Sequence, residues 1–236
     1  MKHLKSMALV GTCGALALGS VVSAQSQETG FYLKGDVGGN ITQDSDLKEF
    51  FGPVAPGSKV KFDPGVRVGF AGGYHFTDWF AAEAEVGVMA NTIDAIQSSS
   101  GVFRLHDASF ANVPFLLNAK FQYPCPCGFT PYAGAGAGVS GSLLDADQIT
   151  FISNGSSPSV QLHGSASDAV FAYQAFAGVR YALNDRMGLS VEYRYFAAES
   201  PEWESDFVAG APAFSNRLSF GRTQTHAISL AFDYHF

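Results

Sequence analysis

The sequence AISLAFDYHF at residues 227–236 alternates strictly between two kinds of side chain. Large apolar or aromatic residues occupy every second position, and small or polar residues lie between them. Because successive side chains of a β-strand point to opposite faces, the stretch predicts a strand with one apolar face. Such a strand separates lipid from a packed interior. The apolar face comprises Ile228, Leu230, Phe232, Tyr234 and Phe236.

Seven further segments of the 236-residue chain show the same alternation. Most of them are about 10–14 residues long, which lets a tilted strand cross a bilayer. Together with residues 223–236 they predict a protein made of membrane-spanning strands. The seven segments are 31–39, 65–76, 79–89, 111–123, 130–142, 169–183 and 187–196.

The connections between these segments alternate between short and long. Short periplasmic turns and long external loops are typical of outer-membrane barrels. Since backbone groups in hydrocarbon must all be paired, the first strand must close on the last. We therefore predict an all-β fold, an eight-stranded antiparallel transmembrane up-and-down β-barrel with short periplasmic turns and long extracellular loops. The short connections are 77–78, 124–129 and 184–186, and the long ones are 40–64, 90–110, 143–168 and 197–222.

Residues 1–24 have the features of an export signal. Lys2 and Lys5 precede an apolar run, and Val22-Ser23-Ala24 is a small-x-small cleavage site. A membrane anchor helix is the alternative, but the apolar run is short for a membrane span and contains several glycines. We expect residues 1–24 to be removed as a signal peptide, leaving residues 25–236 as the barrel domain of the outer membrane.

The composition agrees with this interpretation and excludes one class of partner. A chain with 47% hydrophobic and 15% charged residues is apolar for a soluble domain. Loss of Lys2 and Lys5 with the signal peptide changes the formal net charge from −7 to −9. Because an acidic chain repels nucleic acid, we exclude nucleic acid as a partner. We expect a monomer embedded in outer-membrane lipid and lipopolysaccharide.

The strand phase places every charged residue of the predicted strands on the inward face. Arg or Lys on the lipid face would cost about 2–4 kcal/mol at the bilayer midplane. Eight strands enclose only enough space for side chains, and buried charges must be paired. We therefore expect an interior charge network rather than a solute channel. It comprises Lys34, Asp36, Arg67, Glu83, Glu85, Lys120, Arg180, Glu192, Arg194 and Asp233.

Three ion pairs are expected within this network from the order of the strands. The first crosses one hairpin, the second crosses the closing seam, and the third is diagonal. They are Arg180 with Glu192, Lys34 with Asp233, and Arg67 with Glu85.

Aromatic residues cluster near both predicted membrane boundaries, which is typical of aromatic girdles. The inner cluster is Tyr74, Phe76, Trp79, Phe121, Tyr123 and Tyr181, and the outer cluster is Phe110, Tyr193, Tyr195 and Phe196.

Four stretches together resemble the small outer-membrane β-barrel family of OmpA-like, OmpX-like and opacity-type porin-family proteins. They are GVRVGFAGGYHFTDWFAAEAEVG at 65–87, PYAGAGAGVS at 131–140, FAGVRYALNDRMGLSVEYRYF at 176–196, and 227–236. The resemblance covers the mature chain. It implies a role in membrane integrity, surface adhesion or immune interaction, with no shared catalytic activity. Full OmpA-type proteins also carry a peptidoglycan-binding domain, and we expect none here, so a cell-wall tether is not expected.

Tyr234 and Phe236 resemble the family's C-terminal assembly signal, which implies the barrel assembly machinery as a partner. A place in the aromatic belt also explains Phe236, and the two roles are compatible.

The resulting hypothesis is a structural or surface-interaction barrel. Its acidic extracellular loops would meet a host or cell-surface partner, although acidic loops can also simply stay solvated. A narrow passive channel for ions or small solutes is the alternative.

We expect no enzyme, cofactor or metal site in this chain. Lipid A deacylases are small barrels with a His-x-Ser pair, and this pair is absent here. The spacing of His226 and Ser229 puts them on opposite faces. His75 and His235 face inward near the periplasmic end, where they fit a network better than a catalytic site.

Two features leave alternatives open. Cys125 and Cys127 lie in a periplasmic turn, where they could form a strained disulfide or remain reduced or intermolecular thiols.

Residues 47–51 and 202–207 expose apolar groups beside charges. They could anchor a partner or pack on each other over the barrel mouth, and packing is favoured. Residues 148–152 and 160–164 are predicted to extend two strands as a hairpin.

Overall fold

The computed structural model describes residues 29–50, 54–98, 101–106, 108–125, 128–152, 159–204 and 217–236. The predicted signal peptide lies outside the described residues. Thirteen β-strands occur in these ranges, and no helix there is long and apolar enough to cross a membrane. The strands are β1 Gly30–Thr42, β2 Ser45–Phe50, β3 Lys59–Phe62, β4 Gly65–Thr77, β5 Phe80–Ser98, β6 Gly101–His106, β7 Ser109–Gln122, β8 Phe129–Ile152, β9 Ser159–Ala182, β10 Met187–Ala198, β11 Glu202–Glu204, β12 Arg217–Phe220 and β13 Thr223–His235.

Eight long strands form a closed antiparallel ring, which confirms the predicted fold. Around the ring the order is β1, β4, β5, β7, β8, β9, β10 and β13, and β13 pairs with β1. In the closing seam, Val37 lies opposite Leu230 and Lys34 lies opposite Asp233. No barrel strand is therefore left with an unpaired edge inside the membrane.

The stagger of the strands fixes the dimensions of the barrel. Each residue of a barrel strand has a residue opposite it on the next strand. Tracing these opposite residues once around the ring from Ile41 returns to β1 at Phe31, ten positions before the starting residue. A shift of this size over eight strands implies a strand tilt of about 40°. Phe31 and Ile41 are then roughly 25 Å apart along the barrel axis, the height of an outer-membrane apolar band. The path is Ile41, His226, Tyr195, Ala175, Ala135, Ala119, Ala82, Tyr74 and Phe31.

The two faces of the strands have the predicted phase. On β13, Ile228, Leu230 and Phe232 are exposed, whereas Ser229 and Asp233 are buried. An exposed row of large apolar side chains is stable only if lipid covers it. The structure corrects the outer aromatic cluster, because Phe110 and Phe196 are fully buried. They share the inward phase of Asn112 and Arg194, respectively.

The long external segments also form strands. β8 and β9 continue past the membrane band as a paired hairpin, with Thr150 opposite Ser159, as predicted. The short strands β11, β12, β2 and β3 pair in that order and join the outer end of β5. β6 lies between the outer ends of β5 and β8. We call these five short strands, together with the apolar cluster described next, the outer cap.

Candidate functional site in the barrel interior and the outer cap

An apolar cluster fills the outer end of the barrel. Trp203 of β11 contacts Phe220 of β12, with their ring centroids 4.9 Å apart, and Phe110 of β7 at 6.2 Å. The Trp203 indole Nε1 donates a hydrogen bond to the backbone oxygen of Ser142, 3.0 Å away. This bond and the ring contacts tie β11 to the interior. The buried members are Leu47, Val60, Ile93, Ile96, Ala108, Phe110, Leu144, Trp203, Leu218 and Phe220.

Residues 47–51 and 202–207 could anchor a partner or pack on each other. The structure supports packing over the barrel mouth. Leu47 and Trp203 come from the two segments in question, and both are buried in the same cluster. Phe50 packs against it. Phe51 and residues 205–207 lie outside the described residues.

A neutral polar layer lies below the cap. The hydroxyl of Thr42 donates to the Asn91 side-chain oxygen at 2.9 Å and lies 2.9 Å from the Thr225 hydroxyl. The Ser142 hydroxyl donates to the Asn112 oxygen at 2.9 Å. These side chains come from five barrel strands and are all buried, so the interior remains filled between the cap and the charged groups.

The charged residues lie below this layer. All ten predicted members of the interior charge network are buried, and they come from every barrel strand except β8. Five are positive and five are negative, so the interior charge is formally balanced. A balanced set can satisfy the requirement that buried charges be paired.

Glu85 is the hub of the network. Its carboxylate accepts hydrogen bonds from Arg67 at 2.6 Å and from Arg194 at 2.8 Å to each oxygen. The amides of Asn118 and Gln174 each donate to the same carboxylate at 2.9 Å. Four strands besides its own therefore converge on Glu85, and the expected Arg67–Glu85 contact is among these bonds.

The other pairs differ from the expected ones. Lys34 lies opposite Asp233 in the ladder, but its ammonium group contacts Glu192 at 3.1 Å and Glu83 at 3.6 Å. The prediction of a Lys34–Asp233 pair is therefore wrong. The physical reason is the narrow barrel, in which long side chains from separate walls meet near the axis.

The predicted Arg180–Glu192 pair is also wrong. Arg180 binds Asp233 at 2.7 Å instead, although β10 lies between their strands. Gly188 on β10 makes this reach feasible, because a Cβ atom there would collide with the Arg180 guanidinium. Glu192 pairs with Lys34 and with its strand neighbour Arg194.

β8 provides space rather than charge. Its inward positions Gly134, Gly136 and Gly138 face large side chains of neighbouring strands. A Cβ atom at Gly134 would collide with the Phe176 ring, and one at Gly136 with the Asn118 side-chain oxygen. The glycines therefore let side chains from β7 and β9 fill the interior. The repeated AGAGAG at residues 133–138 is the sequence feature from which this free space could have been predicted.

Aromatic rings fill the periplasmic end of the interior. The rings of Tyr32, His75 and His235 form a triangle, with centroids 4.6 Å apart for Tyr32 and His75, 5.2 Å for Tyr32 and His235, and 5.4 Å for the two histidines. The Lys120 ammonium lies 4.5 Å from the centroid of the Tyr32 ring. The Tyr32 hydroxyl donates to Glu83 at 2.5 Å. Both histidines thus belong to the interior packing, as their strand phase predicted.

The remaining candidate residues have these positions. His226 is half-buried at the outer rim and Ser229 is buried inside, so they lie on opposite faces as predicted. Phe236 is 74% exposed at the inner boundary, and its backbone N donates to the Phe31 oxygen at 3.1 Å. Cys127 lies outside the described residues, so the two alternatives for it and Cys125, a disulfide or reduced or intermolecular thiols, both stay open. Within the described ranges, no three His, Cys, Asp or Glu side chains are grouped to hold a metal ion.

Comparisons with known proteins agree with this architecture. The family model for the outer membrane protein beta-barrel domain matches residues 11–236. No curated protein matches the chain.

Among solved structures, the chain is similar to the outer membrane protein OprG of Pseudomonas aeruginosa. The identity is 16% and the TM-score 0.58, over 91% of this chain and 100% of that one. It is also similar to the outer membrane protease OmpT of Escherichia coli, at 11% identity and TM-score 0.51, over 91% and 100%. For Neisserial surface protein A the identity is 14% and the TM-score 0.49, over 87% and 97%.

Structural similarity at these identities shows the fold alone. The family match over nearly the whole chain, together with the closed ring of strands, shows where the protein resides. The chain belongs to the family of outer membrane protein beta-barrel domains and is an integral protein of the outer membrane.

Proposed function

We propose that this protein is a closed structural barrel that presents an acidic outer rim to partners at the cell surface. The observation that carries the proposal is the filled interior, in which the charge network and the apolar cluster of the outer cap occupy successive levels. A closed barrel leaves the external surface as the place where specificity resides.

The external surface supports an interaction role through its charge. Asp44, Asp46, Asp63 and Asp94 are exposed on the outer side of the membrane band. Exposed carboxylates attract basic partners over about one Debye length. A host or cell-surface partner with a basic face is the class that this rim favours.

Assembly belongs to the same proposal. Tyr234 and Phe236 would be read by the barrel assembly machinery, and the folded chain would act as a monomer. The exposed Phe236 side chain is accessible to such a reader. The narrow passive channel is the less favoured function, because solute would have to displace both the Glu85 hub and the Trp203 cluster.

Neutralising the outer rim is expected to reduce surface binding without loosening the envelope. The test variant carries Asp44→Asn, Asp46→Asn, Asp63→Asn and Asp94→Asn. Binding of fluorescent polylysine to intact cells, corrected for a gene-deletion strain, should fall at least about threefold. Deletion of the gene should raise leakage of a periplasmic enzyme from the cells. Expression of the natural chain or of the variant should lower this leakage equally.

A matched control neutralises Asp78 and Asp185, which are exposed at the periplasmic end. Polylysine cannot reach them on intact cells, so binding should be unchanged. Equal binding by the rim variant and the natural chain would refute the acidic-rim interaction. A deletion strain without any leakage would refute the structural role.

A further inference from the structure

The lipid face of the barrel is asymmetric at its outer edge. At the inner edge, aromatic residues occur on seven of the eight barrel strands or directly beside them. At the outer edge, β9 carries the exposed Phe171 and the half-buried Tyr173, β10 carries the exposed Tyr193 and the half-buried Tyr195, and His226 follows on the adjacent β13. At about the level of His226, given the strand tilt, the four opposite strands carry Val66, Val88, Val113 and Val139, whereas their exposed phenylalanines, Phe70 and Phe115, lie lower, near the levels of Tyr193 and Tyr195. The inner set is Phe31, Tyr74, Phe76, Trp79, Phe121, Phe129, Tyr181, Tyr234 and Phe236.

Five polar side chains form a connected group on this side, which we call the outer polar patch. The imidazole of His226 lies 2.7 Å from the Tyr193 hydroxyl through Nδ1 and 2.8 Å from the Gln43 amide nitrogen through Nε2. The Tyr195 hydroxyl donates to the Gln224 side-chain oxygen at 3.1 Å, and the Tyr195 ring lies 5.4 Å from the His226 ring, which joins the two hydrogen-bonded sets. The patch therefore consists of Gln43, Tyr193, Tyr195, Gln224 and His226.

The patch belongs to the membrane-facing surface. His226 has the same strand phase as Ile228, which is exposed to lipid two residues below it. Tyr193 is likewise exposed on the lipid face of β10. The patch thus continues the established lipid interface up to the level of the outer-leaflet headgroups.

An ordinary aromatic girdle does not account for this group. Girdle residues anchor a barrel at the interface all around its circumference, as the inner edge illustrates. Among the described residues, the tyrosine hydroxyls and the imidazole of the outer edge occur on β9, β10 and β13, and two amides lie beside them. The hydrogen bonds within the patch leave further donor and acceptor capacity on its hydroxyl and amide groups, which the headgroup of a neighbouring lipid can use.

The chemistry of the patch indicates what kind of headgroup fits. Hydroxyl, amide and imidazole groups exchange hydrogen bonds with sugar hydroxyls, and tyrosine rings offer apolar faces on which a sugar can lie. Arg222 lies just above the patch, with its guanidinium 3.2 Å from Glu199 and its side chain 50% exposed. A partly exposed guanidinium can also contact a phosphate.

We propose that the outer polar patch binds the sugar headgroup of an outer-leaflet glycolipid of the lipopolysaccharide class. The patch spans the closing seam, because Gln43 follows β1 whereas Gln224 and His226 belong to β13. The Gln43 backbone N also donates to the Gln224 oxygen at 2.8 Å. A glycolipid bound here braces the first strand against the last, independently of the function proposed above.

The test is native mass spectrometry of the folded protein in neutral detergent, titrated with purified lipopolysaccharide. The double variant Tyr193→Phe with His226→Ala removes the central hydrogen-bonding groups. The double variant should need at least about fivefold more lipopolysaccharide than the natural chain to reach the same bound fraction. Phosphatidylethanolamine, which has no sugar, should show no difference between the two proteins.

The matched control is Tyr74→Phe with Tyr181→Phe, which changes lipid-facing tyrosines at the inner edge. It should bind lipopolysaccharide like the natural chain. Gln43→Ala provides a second patch variant outside the strands, and it should weaken binding in the same direction. Equal affinity of patch and control variants would overturn the proposal. A dimer of this chain as the species that covers the patch would overturn it too.

Discussion

Replacing Glu85 by alanine is expected to lower the free energy of unfolding by about 3–5 kcal/mol. Arg67 and Arg194 both donate to this carboxylate, and both are fully buried. Removing one partner of a buried pair leaves an uncompensated charge, which is the source of the large effect. The amides of Asn118 and Gln174 would lose an acceptor in the same step.

Unfolding by guanidinium chloride of the barrel refolded in lipid vesicles measures this effect. Glu199→Ala is the matched control, since Glu199 pairs with Arg222 but is 43% exposed. Exposed pairs contribute little, so this variant should stay within about 1 kcal/mol of the natural chain. Adding Arg194→Met to Glu85→Ala should recover part of the loss. A loss below about 1 kcal/mol for Glu85→Ala would contradict the network.

Replacing Trp203 by alanine is expected to open the outer cap while the membrane strands persist. Trp203 is 1% exposed and contacts Phe110 and Phe220. Removing a buried tryptophan side chain costs about 3–5 kcal/mol. The variant also loses the indole hydrogen bond to the Ser142 oxygen. The cap is joined to the barrel mainly through β5, β8 and this cluster. The lost stability should therefore favour local opening of the cap rather than unfolding of the barrel.

Trypsin cleavage at the outer surface measures cap opening. Lys48, Lys59 and Lys61 lie on cap strands and supply cleavage sites. When opening is fast relative to cleavage, the cleavage rate follows the open population. It should rise about 100-fold or more in Trp203→Ala. Trp79→Ala, at the inner girdle and 56% exposed, should leave the rate unchanged. An unchanged rate in Trp203→Ala would show that the cluster does not hold the cap.

The strand phase was predictable because it depends on the sequence alone. Alternation with a period of two places Ile228 outside and Asp233 inside whatever the neighbouring strand is. The same rule located all ten interior charges. The outer positions of Phe110 and Phe196 were wrong because they were assigned by nearness to the boundary, although phase places them inside.

The partners of the charges were not predictable from strand order. Lys34 and Arg180 each bypass the residue expected from the ladder, since side-chain length and the space above Gly188 decide their contacts. The outer cap was foreseen only as two apolar segments that could pack together. Its sheet order depends on pairing between β2 and β12, which are far apart in sequence, and local patterns contain no information on such pairing.

We propose that side chains close this barrel from end to end. Conductance of the purified, folded chain across a planar lipid bilayer tests it most directly. We expect a baseline without stable steps, both for the natural chain and for Trp203→Ala, because the Glu85 network still fills the interior when the cap opens. Reproducible steps of constant size in the natural chain would contradict it and favour a narrow channel.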